Sequence, residues 1–120
     1  MLLLNRELEM QINQIKNLVE SSYYSVQKAH EILFEEYNNR ENEMIAAFFI
    51  NKALSLMAAA KAIYYSNLQD LEKTELEDIF EQFSILESEF SSNYLTNHSH
   101  QWTDLEYQKF KEYIESFIEV

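Results

Sequence analysis

The sequence predicts an all-α fold, an up-down antiparallel four-helix bundle in which residues 1–120 form a single domain. Three observations support this prediction. Gly and Pro are both absent, although β-hairpins and tight turns depend on them. Apolar residues recur at helical spacing in four segments. The polar connections between these segments are short, which makes successive helices antiparallel.

The first segment, residues 5–38, carries apolar or aromatic side chains every three or four residues from Leu8 to Tyr37. The phase barely slips at Ser21 and Ser22. One long helix is therefore expected, and two helices with a kink at the two serines are the alternative.

The second predicted helix covers residues 41–67 and follows a turn marked by Asn38 and Asn39, since asparagine adopts left-handed backbone and caps helices. The third and fourth helices each have a capping box, a Thr followed three positions later by a Glu. These boxes are Thr74 with Glu77 and Thr103 with Glu106. They predict helix starts near Thr74 and Thr103, with residues 96–102 as a polar loop.

Composition limits the functions that fit the chain. The net charge of −12 disfavours binding to nucleic acids and anionic membrane surfaces, because both are negatively charged. There is no Cys, so disulfides and thiolate metal sites are excluded. The start "MLLLNRELEM" lacks the long apolar run of a signal peptide, and a cytoplasmic protein is expected.

The second helix is unusually apolar, with 18 apolar residues among the 22 positions from 44 to 65. Lys52 near its middle disfavours a membrane span, so we expect the core helix of a soluble protein. On a helical wheel the narrow polar sector also contains Phe48, Ser55, Ala59 and Ala62. An outer helix of a bundle buries only one stripe, so these four residues are predicted to form the interface of a homodimer. The alternative is that the long first helix covers them within one chain.

Two polar residues lie on apolar faces and are candidate ligand-binding residues. Lys61 lies on the apolar side of the second helix, where it either extends its ammonium to water or forms a paired charge or ligand site. His30 lies in the apolar stripe of the first helix, and such a histidine is most often a hydrogen-bonded core residue.

The remaining polar residues give no catalytic or metal-binding pattern. His98 and His100 are expected in an exposed loop, with weak metal binding as the alternative. Six acidic residues at helical spacing are expected to be solvated on polar faces, with a metal site as the alternative: Glu75, Asp78, Glu81, Glu112, Glu115 and Glu119. No cofactor, metal site or enzymatic activity is expected.

The order of helices resembles the HEPN superfamily (higher eukaryotes and prokaryotes nucleotide-binding). The stretch "AAFFINKALSLMAAAKAIYY" is similar to the second HEPN helix, and "LEDIFEQF" and "YQKFKEYIESFI" are similar to later ones. Ribonuclease members carry an Arg followed a few residues later by a His. Here Arg6 and Arg40 are followed by "ELEMQINQI" and "ENEMIAAFF", without that His. The resemblance therefore implies a non-catalytic member, and no catalytic residue is carried over.

Three functions follow from these observations. The first is a non-catalytic, HEPN-like interaction protein that acts through a homodimer or a protein partner. The second is a small-ligand or nucleotide-binding module with Lys61 and His30 beside an interhelical pocket. The third is an acidic inhibitor or immunity-type protein that masks a basic surface.

Overall fold

A computed structural model describes residues 2–34, 39–67, 74–96 and 99–118, without the side chains of residues 2–5 and 74. These residues form four helices and no strand, which confirms the predicted all-α bundle. The helices are α1 (Leu2–Phe34), α2 (Arg40–Ser66), α3 (Thr74–Thr96) and α4 (Gln101–Ile118).

Helix α1 is continuous through Ser21 and Ser22, so the prediction of one long helix is confirmed over the described residues. Its 33 residues give it a length of about 50 Å. The bundle is correspondingly slender, with extents of 55 × 24 × 20 Å. Ser22 is fully buried and its hydroxyl donates to the carbonyl oxygen of Ala53 at 3.0 Å, so this serine joins α1 to α2. The predicted end of α1 at residue 38 lies outside the described residues.

Asparagines bound both ends of α2. The side chain of Asn39 accepts a hydrogen bond from the backbone N–H of Asn42 at 2.8 Å, which satisfies an amide that the first turn leaves free. At the other end, the side-chain amide Nδ2 of Asn67 donates a hydrogen bond to the backbone carbonyl oxygen of Ile63 at 2.9 Å. The predicted bounds of 41–67 therefore agree with the structure to within one residue at each end.

The two capping-box predictions have different outcomes. Helix α3 begins at Thr74, as predicted. Helix α4 begins at Gln101, within two residues of the predicted start near Thr103, but the capping box predicted there does not form. The carbonyl of His100 accepts the N–H of Asp104 at 2.9 Å and starts the helix earlier. Glu106 does not reach back to Thr103 and instead accepts a hydrogen bond from Gln82 at 2.6 Å.

In the described part of the chain, α1 packs against α2 and α4, and α3 packs against the same two helices. This is the arrangement of an up-down bundle, in which sequence neighbours are spatial neighbours. One core cluster draws residues from all four helices. Its largest fully buried side chains include Tyr64, Phe83 and Phe110.

Candidate interaction surface and internal polar sites

The four predicted interface residues lie together on the solvent-exposed side of α2. Phe48 is 64% exposed, and Ser55, Ala59 and Ala62 are exposed as well. Helix α1 does not cover them, so the alternative of coverage within one chain is wrong. The outer face of α2 is the exposed stripe that contains these four residues, and it comprises Glu41, Met44, Phe48, Asn51, Ser55, Ala59, Ala62 and Ser66.

The outer face lies opposite the residues that α2 contributes to the interior. These buried residues recur every three or four positions, which defines one inward stripe: Glu43, Ala46, Ile50, Ala53, Met57, Ala60 and Tyr64. The exposed stripe contains large apolar side chains at its start, where Met44 is 59% exposed, and small side chains toward its end. Only Glu41 is charged on the face itself, and Lys52 borders it.

Among the described helices, Arg40–Ser66 alone is long and apolar enough to cross a membrane by length and composition. Within its most apolar window 33% of the residues are buried inside the bundle. The inward stripe therefore accounts for part of the high apolar content of α2, and the outer face contributes the remainder.

Lys61 is partly buried, and its ammonium lies over the ring of Phe80, with Nζ 5.8 Å from the ring centroid. A cation in this position is attracted by the negative face of the aromatic ring. No carboxylate of the described residues forms an ion pair with Lys61. The ring contact explains how a lysine lies next to apolar residues without a charge partner.

His30 is a hydrogen-bonded residue of the helix interface, as predicted. Its Nε2 lies 2.7 Å from Oδ1 of Asp104, and its ring stacks on Tyr107 with the centroids 3.9 Å apart. The interior void beside it has a volume of about 10 Å³, which is room for about one water molecule. This void is too small for an organic ligand.

The structure separates the two predicted ligand-binding residues. Ser22 faces Ala53 across the antiparallel pair of α1 and α2. His30 lies eight residues beyond Ser22, and Lys61 lies eight residues beyond Ala53 in the opposite direction. At 1.5 Å per residue they are therefore about 24 Å apart along the bundle axis. A shared pocket for Lys61 and His30 is excluded by this distance.

A buried polar cluster that the sequence analysis did not predict joins three helices at the other end of α2. The side chain of His100 is 1% exposed, so the prediction that it lies in an exposed loop is wrong. Its ring stacks on Phe90, and its Nδ1 lies 3.0 Å from Oγ1 of Thr103. Thr103 also accepts a hydrogen bond from Asn93 at 3.2 Å, so its hydroxyl proton is free for Nδ1 of His100.

If the Thr103 hydroxyl donates to Nδ1, the proton of neutral His100 lies on Nε2. Nε2 lies 3.8 Å from Oε2 of Glu43, which is too long for a hydrogen bond, and it is the one buried side-chain nitrogen or oxygen in the described chain without a partner. Burial lowers the pKa of His100, and the nearby carboxylate of Glu43 only partly offsets this effect. His100 is therefore uncharged at neutral pH.

Arg40 completes the cluster and connects the start of α2 to the end of α3. Its Nη1 donates to Oε2 of Glu43 at 3.0 Å and to the carbonyl of Tyr94 at 2.8 Å. The guanidinium also lies 4.0 Å from the centroid of the Tyr94 ring. The same oxygen of Glu43, Oε2, therefore pairs with Arg40 and lies closest to Nε2 of His100. A His-x-x-Thr spacing at the start of a helix was the only sequence signal for this arrangement.

The acidic residues of α3 and α4 that we expected to be solvated are exposed wherever the structure describes them: Glu75, Asp78, Glu81, Glu112 and Glu115. Glu119 and His98 lie outside the described residues. No three His, Asp or Glu side chains of the described chain are grouped closely enough to hold a metal ion.

Comparisons with protein-family models, with curated proteins and with solved structures found no match to this chain.

Proposed function

We propose that this chain is a non-catalytic helical interaction protein that works as a symmetric homodimer, with the outer face of α2 as the interface. The observation that carries the proposal is the exposure of Met44 and Phe48 on a face that has one charged residue in about seven turns. Exposed apolar surface of this kind marks interaction sites in soluble proteins.

The distribution of side-chain sizes on this face favours a second copy in antiparallel orientation. Large residues occupy the first half, at Met44 and Phe48, and small residues occupy the second half, at Ala59 and Ala62. If a two-fold axis passes near Ser55, Phe48 of each copy rests on Ala62 of the other, since both lie seven residues from that point. The face is thereby complementary to itself, as a two-fold interface requires.

Charge supports the same choice of partner. Each copy carries a net charge of −12, so two copies repel one another through most of their surfaces. The outer face of α2 lets the two chains meet with little charge at the contact. A basic partner, as an acidic inhibitor would need, is attracted instead by the carboxylates exposed on α3 and α4.

The experiment is light scattering after size exclusion, in which the wild type is expected at twice the chain mass of 14.4 kDa. Phe48→Glu should give a folded monomer, while the control Leu105→Glu, at an exposed position of α4, should stay a dimer, because α4 does not pack against α2 in the described chain. Because screening weakens the repulsion between acidic copies, the dimer should be tighter at about 0.5 M salt than at about 0.05 M. A wild type that stays monomeric at high micromolar concentration would exclude the homodimer.

A size exchange tests the antiparallel pairing. Phe48→Ala and Ala62→Phe should each weaken the dimer, because one creates a gap and the other a clash at the same contact. The double variant should recover much of the lost dimer affinity, since each copy again places one large residue against one small residue of the other copy. A double variant weaker than both single variants would contradict this pairing even if the protein is a dimer.

The other functional predictions have less support. The ligand-binding alternative is not proposed at Lys61 and His30, because these residues are far apart. Likeness to a non-catalytic HEPN member stays a prediction. A cytoplasmic location is part of the proposal, since a dimer through α2 requires this helix to be in water and not in a bilayer.

A further inference from the structure

A groove between α1 and α2 lies beside the outer face of α2 and has a volume of about 440 Å³. The groove has room for a small molecule, and because it is more open to solvent than an enclosed ligand cleft, a bound molecule would stay partly exposed. Helix α1 contributes Tyr24, Ser25 and Lys28, and helix α2 contributes Phe49, Lys52 and Leu56. The proposed dimer does not require this groove.

The charged residues that line the groove are both lysines, although the protein is strongly acidic and Glu20 and Glu31 contact its edge at Tyr24 and Lys28. The groove contains two of the nine basic residues of the chain, and no carboxylate lines it. Lys28 lies 3.9 Å from Glu31, but both side chains are about half exposed, so water and salt screen this pair. Lys52 forms no ion pair with a described residue. Two ammonium groups without strong partners attract an anion to this position.

Ser25 provides a hydrogen-bond donor on the wall of the groove. It is only 7% exposed. Ser22, one turn earlier, donates to the carbonyl of Ala53, whereas the hydroxyl of Ser25 forms no hydrogen bond with any described residue. Because Nε2 of His100 is the one buried polar side-chain atom without a partner in the described chain, the Ser25 hydroxyl is open to water in the groove, and it has a proton to donate to an anionic oxygen of a ligand there.

Aromatic rings form the apolar part of the same groove. Tyr24 is 58% exposed, and its hydroxyl donates to Oε1 of Glu20 at 2.9 Å. This hydrogen bond raises the pKa of Tyr24, so the ring stays uncharged at neutral pH. Phe49 lies on the opposite side and packs partly into the core. An exposed neutral ring is suited to stacking against a flat ligand.

We propose that this groove binds a small aromatic compound that carries a phosphate or carboxylate. Lys28 and Lys52 balance the negative charge, Ser25 donates to one anionic oxygen, and Tyr24 stacks on the ring. The ligand could be a free aromatic acid or the base and phosphate of a nucleotide, which share this chemistry.

Phenyl phosphate tests the proposal by titration into the ¹⁵N-labelled protein, with amide shifts followed by NMR. Shifts should concentrate on residues 21–28 and 49–56. Inorganic phosphate and phenol, which each lack one half of the ligand, should bind at least about tenfold more weakly. Adenosine monophosphate distinguishes the two sources, since tighter binding than phenyl phosphate identifies a nucleotide site.

Two variants and one control complete the test. Lys28→Gln and Ser25→Ala should each weaken phenyl phosphate binding at least about fivefold, because each removes one contact to the anion. Lys109→Gln, an exposed lysine of α4, should leave it unchanged. Equal binding by Lys28→Gln and the wild type, or shifts that lie outside the groove, would overturn the proposal. Both variants lie on α1, so loss of ligand binding is distinguishable from loss of the dimer.

Discussion

Lowering the pH from 7.5 to 5.5 should destabilise the folded protein through His100. Burial lowers the pKa of this residue in the folded state, whereas the unfolded chain has a histidine pKa near 6.5. The unfolded state therefore binds more protons below pH 6.5, so the contribution of His100 to stability is present above that pH and is lost as the pH falls.

The size of this loss has an upper limit. At pH 5.5 the unfolded histidine is about ten times more often protonated than neutral, so the loss is at most RT ln 11, or about 1.4 kcal/mol. The loss of stability reaches this limit if His100 stays neutral in the folded state. The neutral form is favoured because the side chain is 1% exposed and Nε2 has no hydrogen-bond partner. Glu43 lies 3.8 Å away and stabilises the charged form, which reduces the loss.

The assay is urea denaturation of the wild type and His100→Asn at pH 7.5, 6.5 and 5.5. Asparagine does not titrate and keeps an acceptor close to the position of Nδ1, so it retains a bond to Thr103. The stability difference between the two proteins should shrink by about 1 kcal/mol as the pH falls. Parallel pH dependence of wild type and variant would refute the reasoning, and a difference that grows at low pH would show that Glu43 dominates.

Two further substitutions test the packing of α1 and α4. Ser22→Ala removes the buried hydrogen bond to Ala53 and should lower the free energy of unfolding by about 1 kcal/mol, whereas the exposed Ser21→Ala should change it by less than about 0.5 kcal/mol. Equal effects at the two serines would contradict the observed hydrogen bond. Phe110→Ala should cost about 3–5 kcal/mol because it empties a fully buried position, and Tyr113→Ala on the exposed side of α4 should cost far less. Denaturant midpoints measure both pairs.

The helical spacing of apolar residues correctly predicted those features of the fold that depend only on which side of a helix is apolar. The stripe from Leu8 onward predicted one long α1, because a kink at Ser21 and Ser22 would have shifted its phase. The small residues opposite the inward stripe of α2 were likewise predictable, since the direction of a side chain on a helix follows from its position alone.

The errors arose where a contact between helices decides the local structure. Thr103 and Glu106 have the spacing of a capping box, but Asn93 on α3 and Gln82 compete for their oxygens. Lys61 and His30 both lie on apolar faces, but the helical wheel does not show their distance along the axis. The groove beside Tyr24 depends on how α1 and α2 are rotated against each other, which no single-helix pattern contains.

The contacts between α1 and α4 have a mechanical consequence. Three of them are His30 with Asp104, Tyr23 with Phe110 and Lys16 with Phe117, and the α1 residues of these pairs follow one another at intervals of seven. Because equivalent side chains return only after two helical turns, α1 would have to advance about 10 Å along α4 before comparable contacts formed again. A smaller axial shift breaks all three contacts at once. The two helices therefore resist sliding past each other along their axes. A force applied to one end of α1 is transmitted to α4 along the length over which the two helices are in contact.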